Sequence, residues 1–166
     1  MNKIPVSIII GSQSDWPVMQ SATIPLNELN VSFESRVISA HRTPERLYRF
    51  ASEAHLRGID VIIAGAGGSA HLPGMVAAMT HLPVIAVPVP GKYFNGMDSL
   101  MSIVQMPRGV AVACQAAGNS GAYNAGLLAV QMLALKNDEL SRRLQQWRQD
   151  QTDSVPAEVM EPLTES

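Results

Sequence analysis

Short apolar runs that end abruptly in small and polar residues set the frame of this chain. VSIII at 6–10 gives way to GSQSD, DVIIA at 60–64 to GAGGSAHLPG, and VIAV at 84–87 to PVPG. Alternate residues of a strand point to opposite faces of its sheet, so a run that is apolar throughout suits a strand covered on both sides. Each run is followed by a helical pattern, and repeated strand-helix units fold as a parallel sheet with helices on both faces. Strands are predicted at 6–10, 32–38, 60–64, 84–87 and 110–113, and helices at 15–29, 44–57, 72–80, 99–105, 119–135 and 138–149. Gly58 is a suitable stop for the second helix. Pro25 falls inside the first, where it removes a backbone donor and clashes with the preceding turn at a cost of about 3 kcal/mol, so a kink or break near Ala22 is expected.

The polar segments follow strands, and in a parallel sheet the carboxyl ends of the strands converge on one crevice. Ser39-Ala40-His41-Arg42-Thr43-Pro44 sets an imidazole beside a guanidinium between a strand and a helix start, with Thr43 read as the N-cap and Pro44-Glu45 as the first turn. That is a proton-transfer and anion-binding pair. The bland alternatives are a hydrogen-bonded core histidine and a surface arginine; the polar turn favours function. In GSQSD the glycine permits a sharp exit from the strand, and Ser12, Ser14 and Asp15 open a helix whose unpaired N–H groups favour an anion. Ser14 and Asp15 read equally well as caps. Gly65 to Ala70 formally satisfies the dinucleotide pattern G-x-G-x-x-G/A, but it follows the third strand and 84–90 holds no acid for a ribose, so nucleotide cofactor binding is set aside. His55 and His81 read as ordinary helix or loop residues.

With 166 residues the chain has the length of one domain. Its 12 Lys and Arg nearly balance 14 Asp and Glu, which argues against nucleic acid or an anionic membrane as partner. A single cysteine, Cys114, excludes an internal disulfide, fits a reducing cytoplasm, and comes with no zinc-ligand pattern. The apolar run near the N-terminus is about seven residues long, too short for a signal peptide or membrane span, and reads as the first strand. The domain is expected to occupy 1–150. The polar stretch 151–166, with two prolines, is expected to be a tail that frays or packs on a neighbouring subunit. The segment 119–135 is apolar nearly all round, and a chain this small has little room to enclose such a helix, so self-association is expected.

Taken together, GSQSDW, SAHRTP and GAGGSAHLPG resemble the PurE family of de novo purine biosynthesis, in its class I branch of N5-carboxyaminoimidazole ribonucleotide mutases. The stretch 98–109 (DSLMSIVQMPRG) is a fourth match, and the resemblance runs from Val6 to Trp147. It implies a three-layer, flavodoxin-like α/β sandwich around a central parallel sheet, assembled as a homo-octamer. It implies conversion of the N5-carboxy ribonucleotide to 4-carboxy-5-aminoimidazole ribonucleotide with no metal, ATP or organic cofactor. His41 would be the catalytic proton relay. Ser12 and Asp15 would contact phosphate and ribose, Arg42 the phosphate, and Ser14 and Ser39 would complete that end. Gly67, Gly68, Ser69, Ala70, His71 and Leu72 would form a mobile wall closing over the imidazole and carboxylate; His71 either lines that wall or merely starts the next helix. Two segments depart from the family pattern: 90–96 is bulkier and more aromatic, and 117–121 lacks the customary isoleucine and lysine. The alternatives are a class II carboxylase that takes free CO2, whose motif carries Lys where this chain has Arg42, and a nucleotide-monophosphate binding module without turnover.

Overall fold

The computed structural model describes residues 4–159, and in it the apolar runs pair side by side as parallel strands. These are β1 (Val6–Ile10), β2 (Phe33–Val37), β3 (Val61–Gly67), β4 (Val84–Val89) and β5 (Ala113–Cys114), in the order β2-β1-β3-β4-β5. That order is the flavodoxin-like one, with its switch point between β1 and β3. Seven helices among the described residues flank the sheet: α1 (Trp16–Met19), α2 (Thr23–Glu28), α3 (Pro44–Glu53), α4 (Leu72–Ala77), α5 (Met97–Val104), α6 (Asn119–Ala134) and α7 (Asp138–Ser154). Alternation along β1 divides the core into two layers. Val6, Ile8 and Ile10 pack with α1, α2, α6 and α7, and Ile9 with α3, α4 and α5 on the other face. None of these helices is long and apolar enough to cross a membrane.

The expected helix over 15–29 is broken. A 3-10 turn at Gln20–Ala22 separates α1 from α2, as Pro25 demands, since no proline N–H is available to bond back to the preceding turn. α6 exploits the break by packing closely there. A Cβ on Gly126 would lie 2.2 Å from the Ala22 carbonyl oxygen, so only glycine admits this approach.

Other boundaries moved. β3 runs three residues past its expected end, drawing Gly65 to Gly67 of the glycine-rich segment into the ladder opposite Val87 to Val89. β4 likewise extends through Pro88, which is tolerated because β5 pairs only with Ile85 and Ala86 and makes no demand on the missing donor. β5 is the two residues Ala113–Cys114 rather than 110–113. Edge strand β2 exposes Arg36 and Val37, and its charges discourage further pairing.

One expectation is corrected at the C-terminal end. α7 does not fray at 151 but continues to Ser154, so the expected domain limit at 150 falls inside a helix. The helix is tied down by Trp147 Nε1 donating to Glu28 (3.0 Å) and Arg143 Nε donating to the Leu29 carbonyl (3.3 Å). Of the expected tail, 155–159 is described beyond the helix, and 160–166 lies outside the described residues. α6 is enclosed within the chain on one side only: Ala122, Ala125, Ala129 and Val130 are fully buried against the sheet, α1, α2 and α7, while Leu127, Leu128, Met132 and Leu133 are partly buried and Leu135 is exposed.

Candidate active site

All five strands being parallel, the segments after β1, β2, β3 and β4 meet at one edge and enclose a cavity of about 690 Å³ astride the switch point. It brings together Ser12, Ser14 and Asp15 after β1, and Ser39, His41 and Arg42 after β2. From the end of β3 come Gly67, Gly68, Ser69, His71 and Leu72.

After β1 the chain turns through a 3-10 turn, Gln13–Asp15, with reciprocal capping. Ser12 N donates to Asp15 Oδ2 (3.0 Å), and the Ser14 hydroxyl donates to Ser12 Oγ (2.9 Å). Capping and cavity lining thus coexist in the same residues. Burial pushes the Asp15 carboxyl above its ordinary value of 3.8, although the N–H groups of Ser12 and Gly11 and the charge of Arg42 oppose it. Its Oδ1 faces Gly67, where a Cβ would stand 3.9 Å away and 3.3 Å from the Val89 carbonyl. A side chain at 67 would narrow the space between the acid and the wall.

Arg42 is held at two points. Its Nε donates to Ser39 Oγ (3.2 Å) and Nη2 to the Gly11 carbonyl (3.3 Å), spanning the ends of β2 and β1. Nη1 has no partner among the described residues and is available to an anion. Thr43 occupies the N-cap position of α3 but does not cap it, because its hydroxyl donates instead to the Ser39 carbonyl (2.8 Å). That bond tightens the turn carrying His41 and Arg42.

His41 Nε2 lies 2.9 Å from His71 Nδ1, with the rings nearly perpendicular at 85°. One nitrogen donates and the other accepts, so the pair shares a proton path whichever tautomer it holds. His71 therefore combines both readings: it is the N-cap residue of α4, and its ring meets His41 at the cavity. His55 and His81 pair their own rings 5.0 Å apart, and neither lines this cavity.

The glycine-rich segment needs correction in two respects. Its start is strand, so only from Gly68 (φ +62°) onward does it form a loop wall. Ala70, expected to touch substrate, is 1% exposed with its methyl in the core and does not line the cavity. Leu72 is nearly as buried, at 2% exposed, but does line the cavity. Val89, Pro90, Gly91 and Lys92 close the cavity on the β4 side; the sequence marked 90–96 only as departing from the family pattern, and Val89 not at all. The available signal was topological: β4 pairs with β3, so its end must border whatever β3 presents.

Comparison with known proteins adds an independent line. The family model for AIR carboxylase matches residues 5–154. The N5-carboxyaminoimidazole ribonucleotide mutase of Brucella melitensis is 57% identical over 152 residues, covering 92% of this chain and 94% of that protein. The protein of the same name from Bacillus subtilis is 57% identical over 150 residues, covering 90% and 93%. Among solved structures, Treponema denticola PurE superposes with a TM-score of 0.79 at 27% identity, over 89% of this chain and 91% of that one. With the family model matched almost end to end and relatives at this identity over nine-tenths of the chain, the chain belongs to the AIR carboxylase family, in the class I PurE branch.

Proposed function

We propose that this cavity carries out the mutase step of purine (IMP) biosynthesis, converting N5-carboxyaminoimidazole ribonucleotide to 4-carboxy-5-aminoimidazole ribonucleotide. The observation that carries the reading is the His41–His71 contact of 2.9 Å, facing the same cavity as the clasped Arg42 guanidinium. The reaction needs both elements: a group that gives and takes a proton near the aminoimidazole, and an anchor for the phosphate.

The chemistry balances without an outside reactant. The N5–carboxylate bond breaks, CO2 is released, and the amine nitrogen takes a proton from protonated His41. C4, nucleophilic as an enamine carbon, attacks the retained CO2, and the C4 proton returns to His41. The net change is one carboxylate moved one way and one proton the other, with no change of oxidation state, so no redox cofactor or ATP enters the balance. In this reading Asp15 holds ribose hydroxyls and Ser12 and Ser14 the phosphate, and the loop from Gly68 to His71 keeps CO2 from escaping.

The protein is further proposed to be cytoplasmic and to assemble as a homo-octamer, the state that the family resemblance implies. What supports association is α5. Met97, Met101 and Val104 recur at the spacing of one helix face and are 59%, 56% and 46% exposed, next to exposed Tyr93 and Phe94. A surface of this kind beside the cavity suits a subunit contact.

The test is an assay of purified protein with the N5-carboxy substrate, with EDTA and without ATP, in ¹³C-bicarbonate. Formation of the 4-carboxy product with little early label is expected. His41→Asn should lower turnover by about 10²- to 10⁴-fold or more while leaving affinity within about tenfold. Early label incorporation would point to a carboxylase, and tight ribonucleotide binding without turnover to a binding module.

A further inference from the structure

The substrate proposed above carries two anionic groups at opposite ends, a phosphate on the ribose and a carboxylate on the aminoimidazole, but the phosphate anchor accounts for only one of the cavity's lysine and arginine side chains. Those two are Arg42 and Lys92. The Arg42 guanidinium reaches the Gly11 carbonyl at the end of β1, while Lys92 follows β4, two places further along the order β2-β1-β3-β4. At about 4.8 Å per strand, the strand ends that carry them are separated by roughly 10 Å, wider than a single phosphate. Between them lie the His41–His71 pair and the β3 wall, where the reacting ring would sit. A ribonucleotide with its phosphate on Arg42 and its ring at the histidines presents its carboxylate toward β4.

Lys92 is uncommitted in the structure. It joins no ion pair among the described residues, and its ammonium stands 5.8 Å from the centre of the neighbouring Tyr93 ring. Near that loop, Asp98 Oδ2 is 3.8 Å from where a Gly91 Cβ would stand, and Asp98 Oδ1 is buried with no hydrogen-bond partner among the described residues.

We infer that Lys92 is a carboxylate-positioning residue: its ammonium binds the carboxylate that substrate and product both carry, leaving the phosphate to Arg42. A compact cation on a flexible four-carbon stem suits a carboxylate that moves from N5 to C4 of the same ring, since it can follow the group without a fixed bidentate geometry. The inference rests on the mutase reading and assigns a residue of the loop whose composition departs from the family pattern.

The test compares two ligands that differ only in the carboxylate. Binding of 4-carboxy-5-aminoimidazole ribonucleotide and of aminoimidazole ribonucleotide is measured by calorimetry at fixed ionic strength for wild type, Lys92→Met and Lys92→Arg. Because Lys92 is exposed, both variants should keep the wild-type circular dichroism spectrum. Lys92→Met should bind the carboxylated nucleotide about ten- to a hundredfold more weakly and the other within about threefold, with Lys92→Arg restoring most of the loss. Equal loss for both ligands, or none for the carboxylated one, overturns the assignment of Lys92. Wild-type turnover of the N5-carboxy substrate is measured in parallel. If it is normal while Lys92→Met binds like wild type, only this inference fails; if it is absent, the mutase reading fails first.

Discussion

Replacing Arg42 with alanine should weaken the binding of a ribonucleotide while sparing the corresponding nucleoside. A charge-assisted hydrogen bond to phosphate is worth about 1.5 to 3 kcal/mol, which is roughly 13- to 160-fold in affinity. The structure places this case toward the upper end. Ser39 Oγ and the Gly11 carbonyl already hold the guanidinium, so little side-chain freedom remains to be lost on binding, and Nη1 is left for the ligand. Lysine at this position cannot serve both acceptors and a phosphate in one plane, so Arg42→Lys should recover only part of the affinity. Calorimetry with aminoimidazole ribonucleotide and its dephosphorylated nucleoside separates the contributions. The nucleotide should lose the full factor and the nucleoside less than about threefold, with the difference narrowing as salt screens the pair. Equal losses would show that Arg42 organises the β1 and β2 ends rather than holding phosphate.

Three further outcomes test the scaffold and its cost. Burial tends to raise the Glu34 carboxyl, but hydrogen bonds from Arg36, Arg57 and Ser7 outweigh it and hold the group below its ordinary 4.5. Its contribution is therefore present above that value and lost as pH falls through the lowered one; Glu34→Gln should cost about 1 kcal/mol near neutrality in denaturant unfolding and nothing in strong acid, and a pH-independent difference would refute the network. Asp15 has the opposite sign: its carboxyl is raised from 3.8 by burial, so wild type loses stability as pH climbs through that window, and Asp15→Asn should gain on it over the same range. A variant that loses ground with rising pH would contradict the desolvation argument. Gly126→Ala would set a Cβ 2.2 Å from the Ala22 carbonyl and 2.8 Å from Pro25 Cγ, an overlap costing about 1 to 3 kcal/mol or more against a helix-propensity gain of about 1. Net destabilisation is expected, and a variant more stable than wild type would show that α6 and the helix break do not meet as described.

How far the sequence could be read depended on whether a signal was local. The strand-helix alternation and the break ahead of Pro25 arise from neighbouring residues and appear in the structure; α3 itself ends at Glu53, short of the expected 57, and Gly58 (φ +84°) closes the 3-10 turn His55–Arg57 that follows it. The same holds for the polar turns after β1, β2 and β3, whose convergence follows from parallel strands alone. What could not be read depends on partners far along the chain. Gly65 to Gly67 look like a turn by composition, and pairing with Val87 to Val89, and of Gly65 with Ile10, makes them strand. Nothing local announces that the sheet, α1, α2 and α7 bury one side of the apolar α6. The His41–His71 contact spans 30 residues, so its 2.9 Å separation emerges only when the ends of β2 and β3 share an edge.

Away from the carboxyl edge, Glu34 accepts hydrogen bonds from Ser7, Arg36 and Arg57, and Glu28 from Tyr123 and Trp147. At the cavity, Arg42 keeps an uncommitted nitrogen and Lys92 joins no ion pair among the described residues, while burial holds the Asp15 carboxyl above its ordinary value. Two cations with free nitrogens at one cavity suit an anionic ligand, because groups already paired within the protein would have to be unpaired before they could bind. It follows that ligand binding should stabilise the chain beyond simple occupancy of a cleft, since the ribonucleotide supplies partners that the folded protein lacks.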